Sequence, residues 1–308
     1  MDDHDRTASL MTPSKLAQVK PKSPASPAAW LDQMAADAGH AHVRRLAELA
    51  RGIRAQAATR DASAMAAELT QLGQALPGLD FALLQPRGWW ARATGKSRSA
   101  GAEFAVQFER IEALTQSLAV QAQAMQRQQQ EQASGADLAL LELEVEFRAI
   151  DKIIDQGARW LQDMRNQLKT RQATAADSAA LQQVKDDAAR CEILVARLKA
   201  LRAVSSAAQQ AHQQAQGAAA RRLAVVKMLQ QMVSSDVKAW RTRVSALANA
   251  GGDGDSPALS LEAPSEAHGE LQLGVKQAAA DCAQLQAQDK AFAQSLDALD
   301  AQLQALAG

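Results

Sequence analysis

Residues 140–168 read LLELEVEFRAIDKIIDQGARWLQDMRNQL, and their apolar residues recur at alternating steps of three and four. The positions in phase are Leu140, Leu143, Phe147, Ile150, Ile154, Gly157, Leu161, Met164 and Leu168. This spacing places them along one face of an α-helix, and only Gly157 adds no side chain to that face. One helix cannot bury such a face alone. The stretch therefore predicts other long helices packed against it.

The composition favours an all-α fold. Hydrophobic residues make up 47% of the chain, aromatic residues only 3%, and much of the apolar fraction is alanine. Alanine and the abundant glutamine both favour helix, whereas the β-branched runs typical of strands are missing. The sequence predicts an elongated all-α bundle of long antiparallel helices.

The charge balance and the apolar pattern argue against several classes of protein. Lys+Arg and Asp+Glu are both 34, so the basic excess of a nucleic-acid-binding protein is absent. No apolar run reaches the roughly 20 residues of a membrane-spanning helix. Asp2, Asp3 and Asp5 stand where a secretory signal would be basic, and two cysteines indicate no disulfide framework. We expect a soluble cytoplasmic protein without a nucleic-acid partner.

Breaks in the helical periodicity divide the chain into six segments. Clusters of proline, glycine and serine mark most of the boundaries. The predicted segments are a disordered tail at 1–26, short helices at 27–75, a loop with tryptophan and arginine at 76–101, a long-helix bundle at 102–248, a flexible linker at 249–269 and a C-terminal amphipathic helix at 270–308.

Two positions decide how the long helices connect. Ser134-Gly135 is predicted to end one helix, and Asp137 is predicted to cap the next. Two long helices joined by so short a loop would be antiparallel neighbours. Gly217 lies in a third helical pattern, where the length of that pattern favours a bend or break.

The C-terminal segment carries a heptad seam with one polar member, Asp289. The seam residues are Leu271, Val275, Ala278, Cys282, Leu285, Asp289, Phe292, Leu296, Leu299, Leu303 and Leu306. Such a seam fits either the last helix of a bundle or a helix that pairs with another chain. Self-association through Leu271–Leu306 is therefore one of two open alternatives.

Two motifs suggest a phosphate-binding site and a metal site, but both are incomplete. Residues 94–97 (TGKS) match the end of a phosphate-binding loop, but Trp90 stands where that motif requires its first glycine. His40 and His42 would point to different sides of a helix, and no cysteine lies near them. We expect surface histidines, no metal and no cofactor.

Acidic residues and thiols also have structural interpretations. Glu142, Glu144 and Glu146 alternate with core positions, which indicates a solvated face of the helix. Cys191 and Cys282 fall on apolar seams, where a small apolar side chain packs well. An activated thiol is the alternative, but the neighbouring residues give it little support. The sequence thus predicts no catalytic residues and a protein that is not an enzyme.

A basic and aromatic cluster lies in the predicted loop. Its members are Arg87, Trp89, Trp90, Arg92, Lys96 and Arg98. Aromatic residues beside basic residues can dock at a membrane surface or on a partner. Alternatively, the tryptophans plug the end of the bundle and the charges solvate the loop. This cluster is our candidate contact site for a protein partner or a membrane surface.

Two further runs resemble the TelA/KlaA family of toxic-anion (tellurite) resistance proteins. These are residues 198–205 (LKALRAVS) and 232–241 (MVSSDVKAWR), and the similarity extends over about 75–248. The residues that carry it are Arg202, Ala203, Val204, Ser235, Trp240 and Arg241. Lys238 departs from the pattern, because that family has a proline before the tryptophan.

The resemblance implies a cytoplasmic helical protein linked to resistance to tellurite or similar stress, and it implies no catalytic residues. On this basis we expect a non-enzymatic resistance protein that binds partners, either other stress-resistance proteins or the inner membrane surface. The alternative is a coiled-coil scaffold or assembly adaptor.

Overall fold

A computed structural model describes residues 38–85, 96–251 and 260–307, without the side chains of 96–98, 251 and 307. These residues form helices and connecting turns, and no strand occurs among them. The α-helices are α1 (His40–Ala58), α2 (Ser63–Ala75), α3 (Lys96–Thr174), α4 (Ser178–Met232), α5 (Lys238–Gly251) and α6 (Glu262–Ala307). Short 3-10 helices follow α2 at Leu76–Gly78 and Phe81–Leu84, and a π-helix at Val233–Val237 separates α4 from α5. The prediction of an all-α helical bundle is confirmed.

The chain divides into two compact units. Unit 1 takes its described residues from 38–58, 135–216 and 291–307, and unit 2 takes its own from 59–134 and 217–290. Helices α3, α4 and α6 therefore each contribute one part to unit 1 and another to unit 2. Each unit has its own apolar core.

The core of unit 1 is built on the 140–168 stripe. Leu143, Phe147, Ile150, Ile154, Leu161 and Leu168 of this stripe are buried. Gly157 lies where α4 comes very close, since a Cβ atom there would be 2.8 Å from Leu198 Cδ1. Gly157 therefore makes room for a leucine of the neighbouring helix. Phe292, Leu296, Leu299 and Leu303 of α6 belong to the same core.

The start of α1 depends on a glycine. Gly39 has a φ of 73°, in the left-handed region that L side chains rarely adopt. A Cβ atom at this position would also be 3.0 Å from Leu201 Cδ2. Any other residue at position 39 would combine backbone strain with a close contact. The predicted tail at 1–26 and the first part of the short helices predicted at 27–75 lie outside the described residues.

The core of unit 2 surrounds Trp240, which is fully buried. Its ring stacks on that of Phe108 with centroids 5.2 Å apart. Leu271, Val275, Ala278, Cys282 and Leu285 of α6 pack into this core. In both units, the apolar seam of α6 is thus buried against helices of its own chain.

Several predicted boundaries are wrong. Helix α3 continues through Ser134-Gly135, so the two predicted antiparallel neighbours are parts of one helix, and Asp137 is not an N-cap. Helix α4 continues through Gly217. Residues 262–269, predicted to be linker, belong to α6. A single glycine weakens a helix by only about 1 kcal/mol, which packing on both sides of it can offset.

Candidate functional site

The predicted contact cluster falls largely outside the described residues. Arg87, Trp89, Trp90 and Arg92 lie outside them, and so do the side chains of Lys96 and Arg98. The backbone at positions 96 and 98 belongs to the first turn of α3. The prediction of a contact site there stays a prediction.

The residues that resemble the TelA/KlaA family do not form one group. Arg202 is exposed and Val204 is buried in the core of unit 1. Ser235, Trp240 and Arg241 belong to unit 2. Ser235 is exposed on the π-helix, whereas Nε of Arg241 lies 3.0 Å from Oε1 of Glu112.

A buried polar network in unit 2 is centred on His268. The indole Nε1–H of Trp240 donates to Nδ1 of His268 at 3.2 Å. The opposite ring nitrogen, Nε2, lies 3.0 Å from the carbonyl oxygen of Leu76 and 3.0 Å from the side-chain nitrogen of Gln272. Because Nδ1 accepts the indole hydrogen bond, the ring hydrogen of the neutral imidazole is on Nε2, which donates to the carbonyl oxygen of Leu76. Burial lowers the pKa of His268, and the bond to Leu76 opposes this effect only partly.

The π-helix lies beside an α6 glycine. Ser235 Oγ donates to the carbonyl oxygen of Gln231 at 2.7 Å, and a Cβ atom at Gly274 would lie 3.3 Å from Oδ2 of Asp236. A π-helical turn has i→i+5 hydrogen bonds in place of the i→i+4 bonds of an α-helix, and such turns often lie at functional sites. The turn shifts the phase of the helix, and Val237 at its end and Trp240 after it are both in the core.

The glutamates of α3 are paired rather than simply solvated. Nδ1 of His42 donates to Oε2 of Glu146 at 2.6 Å, and Arg45 donates to Glu142 at 2.5 Å. Both partners come from α1. The prediction of a solvated face is therefore wrong for Glu146, whose side chain is 20% exposed, whereas Glu142 is 39% exposed and lies at the surface. His42 is not a free surface histidine.

On its other flank, α3 meets α4. Oε2 of Glu144 lies 3.8 Å from Nε2 of His212, and Glu144 also contacts Arg148. His212 is buried and its ring lies 5.8 Å from that of Phe147. The burial of Leu143 and Phe147 sets the rotation of α3 about its own axis within unit 1, and the polar contacts with α1 and α4 lie on either side of these buried residues.

This rotation leaves a row of apolar side chains on the outer face of α3. Leu138, Leu141 and Val145 are 57%, 57% and 58% exposed, although Leu143 and Phe147 of the same segment are buried. We call these three residues the α3 row. Their spacing of three and then four residues is that of a and d positions in a coiled coil. Exposed apolar residues arranged in this way mark a surface that can bind a second helix.

Both thiols are buried, as core packing predicts. Cys191 belongs to the core of unit 1 and Cys282 to that of unit 2. Burial raises the pKa of Cys191, and it raises the pKa of Cys282 to about 11. Neither thiol is therefore in the reactive thiolate form at neutral pH.

The described residues hold no cluster of three or more His, Cys, Asp or Glu side chains that could bind a metal ion. Across 38–85, 96–251 and 260–307, no helix has the length and hydropathy needed to cross a bilayer.

The fold and its surface define a class, that of α-helical bundle proteins with an exposed apolar helix face. Comparison of the chain with protein-family models, curated proteins and solved structures finds no match.

Proposed function

We propose that this protein works by binding a protein partner through the α3 row and that it has no catalytic activity of its own. The observation that carries the proposal is the exposure of Leu138, Leu141 and Val145 on a helix whose inward face, with Leu143 and Phe147, is buried in the core of unit 1. Helix α3 cannot bury the row by rotating without exposing Leu143 and Phe147.

The partner that this surface suits is an amphipathic helix. Three apolar residues at coiled-coil spacing match the apolar face of a second helix. One exposed acidic residue, Asp137, lies on the same turn as Leu138. A partner helix with basic residues beside its apolar face would complement this arrangement.

The biological process that we propose is resistance to tellurite or a related toxic anion. This part of the proposal rests on the resemblance of residues 198–205 and 232–241 to the TelA/KlaA family. The partners would be other resistance proteins or proteins at the inner membrane surface, and the protein would act from the cytoplasm. The Trp89/Trp90 cluster is a second proposed contact.

The survival of a deletion strain on tellurite tests the resistance role. We expect the deletion strain to be sensitive, and we expect the wild-type gene to restore growth. Leu141→Glu/Val145→Glu should fail to restore it, because two buried charges would oppose helix docking. Val106→Glu/Val120→Glu is a matched control on the same helix, since these valines are 66% and 65% exposed. A deletion strain that is as resistant as its parent would refute the resistance role.

A scaffold or assembly adaptor is the second candidate function, and the α3 row supports it equally if the partner is another copy of the chain. The molar mass of the purified protein in solution separates the two candidates. A dimer that Leu141→Glu/Val145→Glu converts to a monomer would establish the scaffold. A monomer in both cases would favour a different protein as partner.

A further inference from the structure

The α3 row has a charged residue at each end. Asp137 comes directly before Leu138, and Arg148 follows Val145 by one helical turn. Asp137 is exposed, and Arg148 remains 69% exposed although it pairs with Glu144. Positions 137 and 148 differ by 11 residues, which is three turns at about 3.6 residues per turn, so both charges lie on the same side of α3. The row therefore runs from a negative end to a positive end.

This order of charges distinguishes two ways of pairing α3 with a second copy of itself. In a parallel pair, Asp137 of one copy would lie beside Asp137 of the other, and Arg148 beside Arg148. In an antiparallel pair, a two-fold axis brings the negative end of one row to the positive end of the other. Opposite charges then meet at both ends. The row is thus complementary to itself in the antiparallel orientation and repels itself in the parallel one.

The apolar residues of the row fit the same axis. A two-fold axis that crosses α3 at position 143 places Leu141 of one copy opposite Val145 of the other, because 143 is the midpoint of 141 and 145. The midpoint of 137 and 148 is 142.5, which is about 0.8 Å away along the helix at ~1.5 Å per residue. One axis therefore aligns the apolar pair and the charged pair. Leu138 falls opposite position 148, where the aliphatic stem of Arg148 covers it.

We propose that the helix bound by the α3 row is the same row of a second copy of this chain, in antiparallel orientation. This inference rests on the proposed function, because it names the partner of the same surface. Each copy contributes the three apolar side chains of the row, which are more than half exposed. Such a contact is small for a protein interface, so the association is weak and reversible. The two ion pairs set the orientation of the copies more than the affinity between them.

Disulfide formation between two variants of the full chain, each with one added cysteine, tests the orientation. The variants are Leu141→Cys and Val145→Cys, and the native Cys191 and Cys282 are only 1% and 0% exposed. An antiparallel pair should give a disulfide between positions 141 and 145 when the two variants are mixed and oxidised, and much less disulfide with either variant alone. Each position would face itself in a parallel pair. Efficient disulfide formation by each variant alone would therefore overturn the proposal.

Charge reversal tests the pairing of the two ends. Asp137→Arg and Arg148→Asp should each weaken dimerisation about tenfold in analytical ultracentrifugation, because each variant turns two attractions into two repulsions. The double variant Asp137→Arg/Arg148→Asp should restore the wild-type dissociation constant, since opposite charges meet again in the antiparallel pair. Glu103→Arg, at an exposed residue of α3 outside the row, should leave the constant unchanged. A double variant that dimerises as weakly as the single variants would overturn the proposal.

A failure of this inference can be told apart from a failure of the proposed function. A chain that remains monomeric up to about 1 mM, where a free energy of association of about −4 kcal/mol would already give substantial dimer, would overturn the antiparallel dimer. The proposed function would survive that result if a cross-linker at position 141 captured a different protein in cells. Capture of neither a second copy nor another protein at position 141 would overturn both.

Discussion

Trp240 and His268 are joined inside the core of unit 2 by a hydrogen bond from the indole Nε1–H to Nδ1 of the imidazole. Both side chains are buried, so neither can exchange this bond for water. The bond requires a neutral imidazole, because a protonated Nδ1 cannot accept a hydrogen bond. The stability of unit 2 is thereby linked to the protonation of a single histidine.

The first prediction concerns pH. Because burial lowers the pKa of His268 in the folded protein, the unfolded chain binds a proton more readily as the pH falls below about 6.5, the ordinary pKa of histidine. Stability should therefore be complete above this pH and should decline as the pH falls towards the lowered pKa. Urea unfolding of wild type and His268→Gln between pH 7.5 and 5 measures this. The free energy of unfolding of His268→Gln should depend less on pH than that of wild type. Identical pH profiles for the two proteins would contradict the prediction.

A second prediction concerns the polar member of the heptad seam. Nη2 of Arg222 lies 2.6 Å from Oδ2 of Asp289, and the Arg222 side chain is only 5% exposed. Asp289→Leu would remove the carboxylate bonded to this buried guanidinium, leaving only the charge of the exposed Asp61 near it, and should cost about 3–5 kcal/mol in the free energy of unfolding. Replacing both residues, as in Arg222→Met/Asp289→Leu, should recover most of this loss. Chemical denaturation of wild type, the single variant and the double variant measures these free energies of unfolding.

The contact of Arg54 with Asp297 is the control for that experiment, since the two side chains are 44% and 70% exposed and Arg54 also pairs with Asp300. Asp297→Ala should change the free energy of unfolding by less than about 1 kcal/mol, as for surface ion pairs in general. A loss of similar size at Asp289 and at Asp297 would show that the burial of Arg222 has no energetic consequence.

Two helical glycines should respond to alanine in opposite directions. A Cβ atom at Gly217 would have no neighbouring atom within 4 Å, so Gly217→Ala should raise stability by about 1 kcal/mol through helix propensity. At Gly157 the new methyl group would be 2.8 Å from Leu198 Cδ1, and overpacking of about 1–3 kcal/mol should exceed the gain in propensity. Thermal unfolding of both variants decides the point, and a stabilising Gly157→Ala would contradict the packing described for unit 1.

The cysteines should be inert in the folded protein. Cys191 and Cys282 are 1% and 0% exposed, and burial raises the pKa of both thiols. A thiol reagent such as dithionitrobenzoate should label neither residue in buffer at pH 7.5 and both residues in concentrated urea. Rapid labelling of either thiol without denaturant would restore the hypothesis of an activated cysteine.

The sequence predicts the helix faces well and the helix ends poorly. Core residues such as Phe147 and Leu271 could be assigned because a period near 3.6 directly reflects which face is buried. The continuity of the helices at Ser134-Gly135 and at Gly217 could not be predicted, because the low helix propensity of one glycine costs less than the packing energy of the helix around it. Asp289 stands out as a polar residue on an apolar seam, but its partner Arg222 lies 67 positions away and has no signal of its own.

The candidate sites were harder to foresee than the fold. The α3 row is visible in the sequence at Leu138, Leu141 and Val145, but it is overlaid on the stronger core stripe of the same helix. The burial of Leu143 and Phe147 and the exposure of Leu141 and Val145 show which face points outward. His268 lies beside Gly269 in a stretch that the sequence predicts to be linker, so its burial depends on α6 beginning at Glu262.

The most direct test of partner binding is site-specific cross-linking in living cells. A photoreactive amino acid at position 141 should give one discrete adduct, larger than the chain by the mass of its partner, and Val145→Glu should abolish that adduct. The same amino acid at position 106, which is at least as exposed, should give none. No adduct at position 141, or the same adducts at positions 141 and 106, would contradict the proposal that the α3 row is the binding surface.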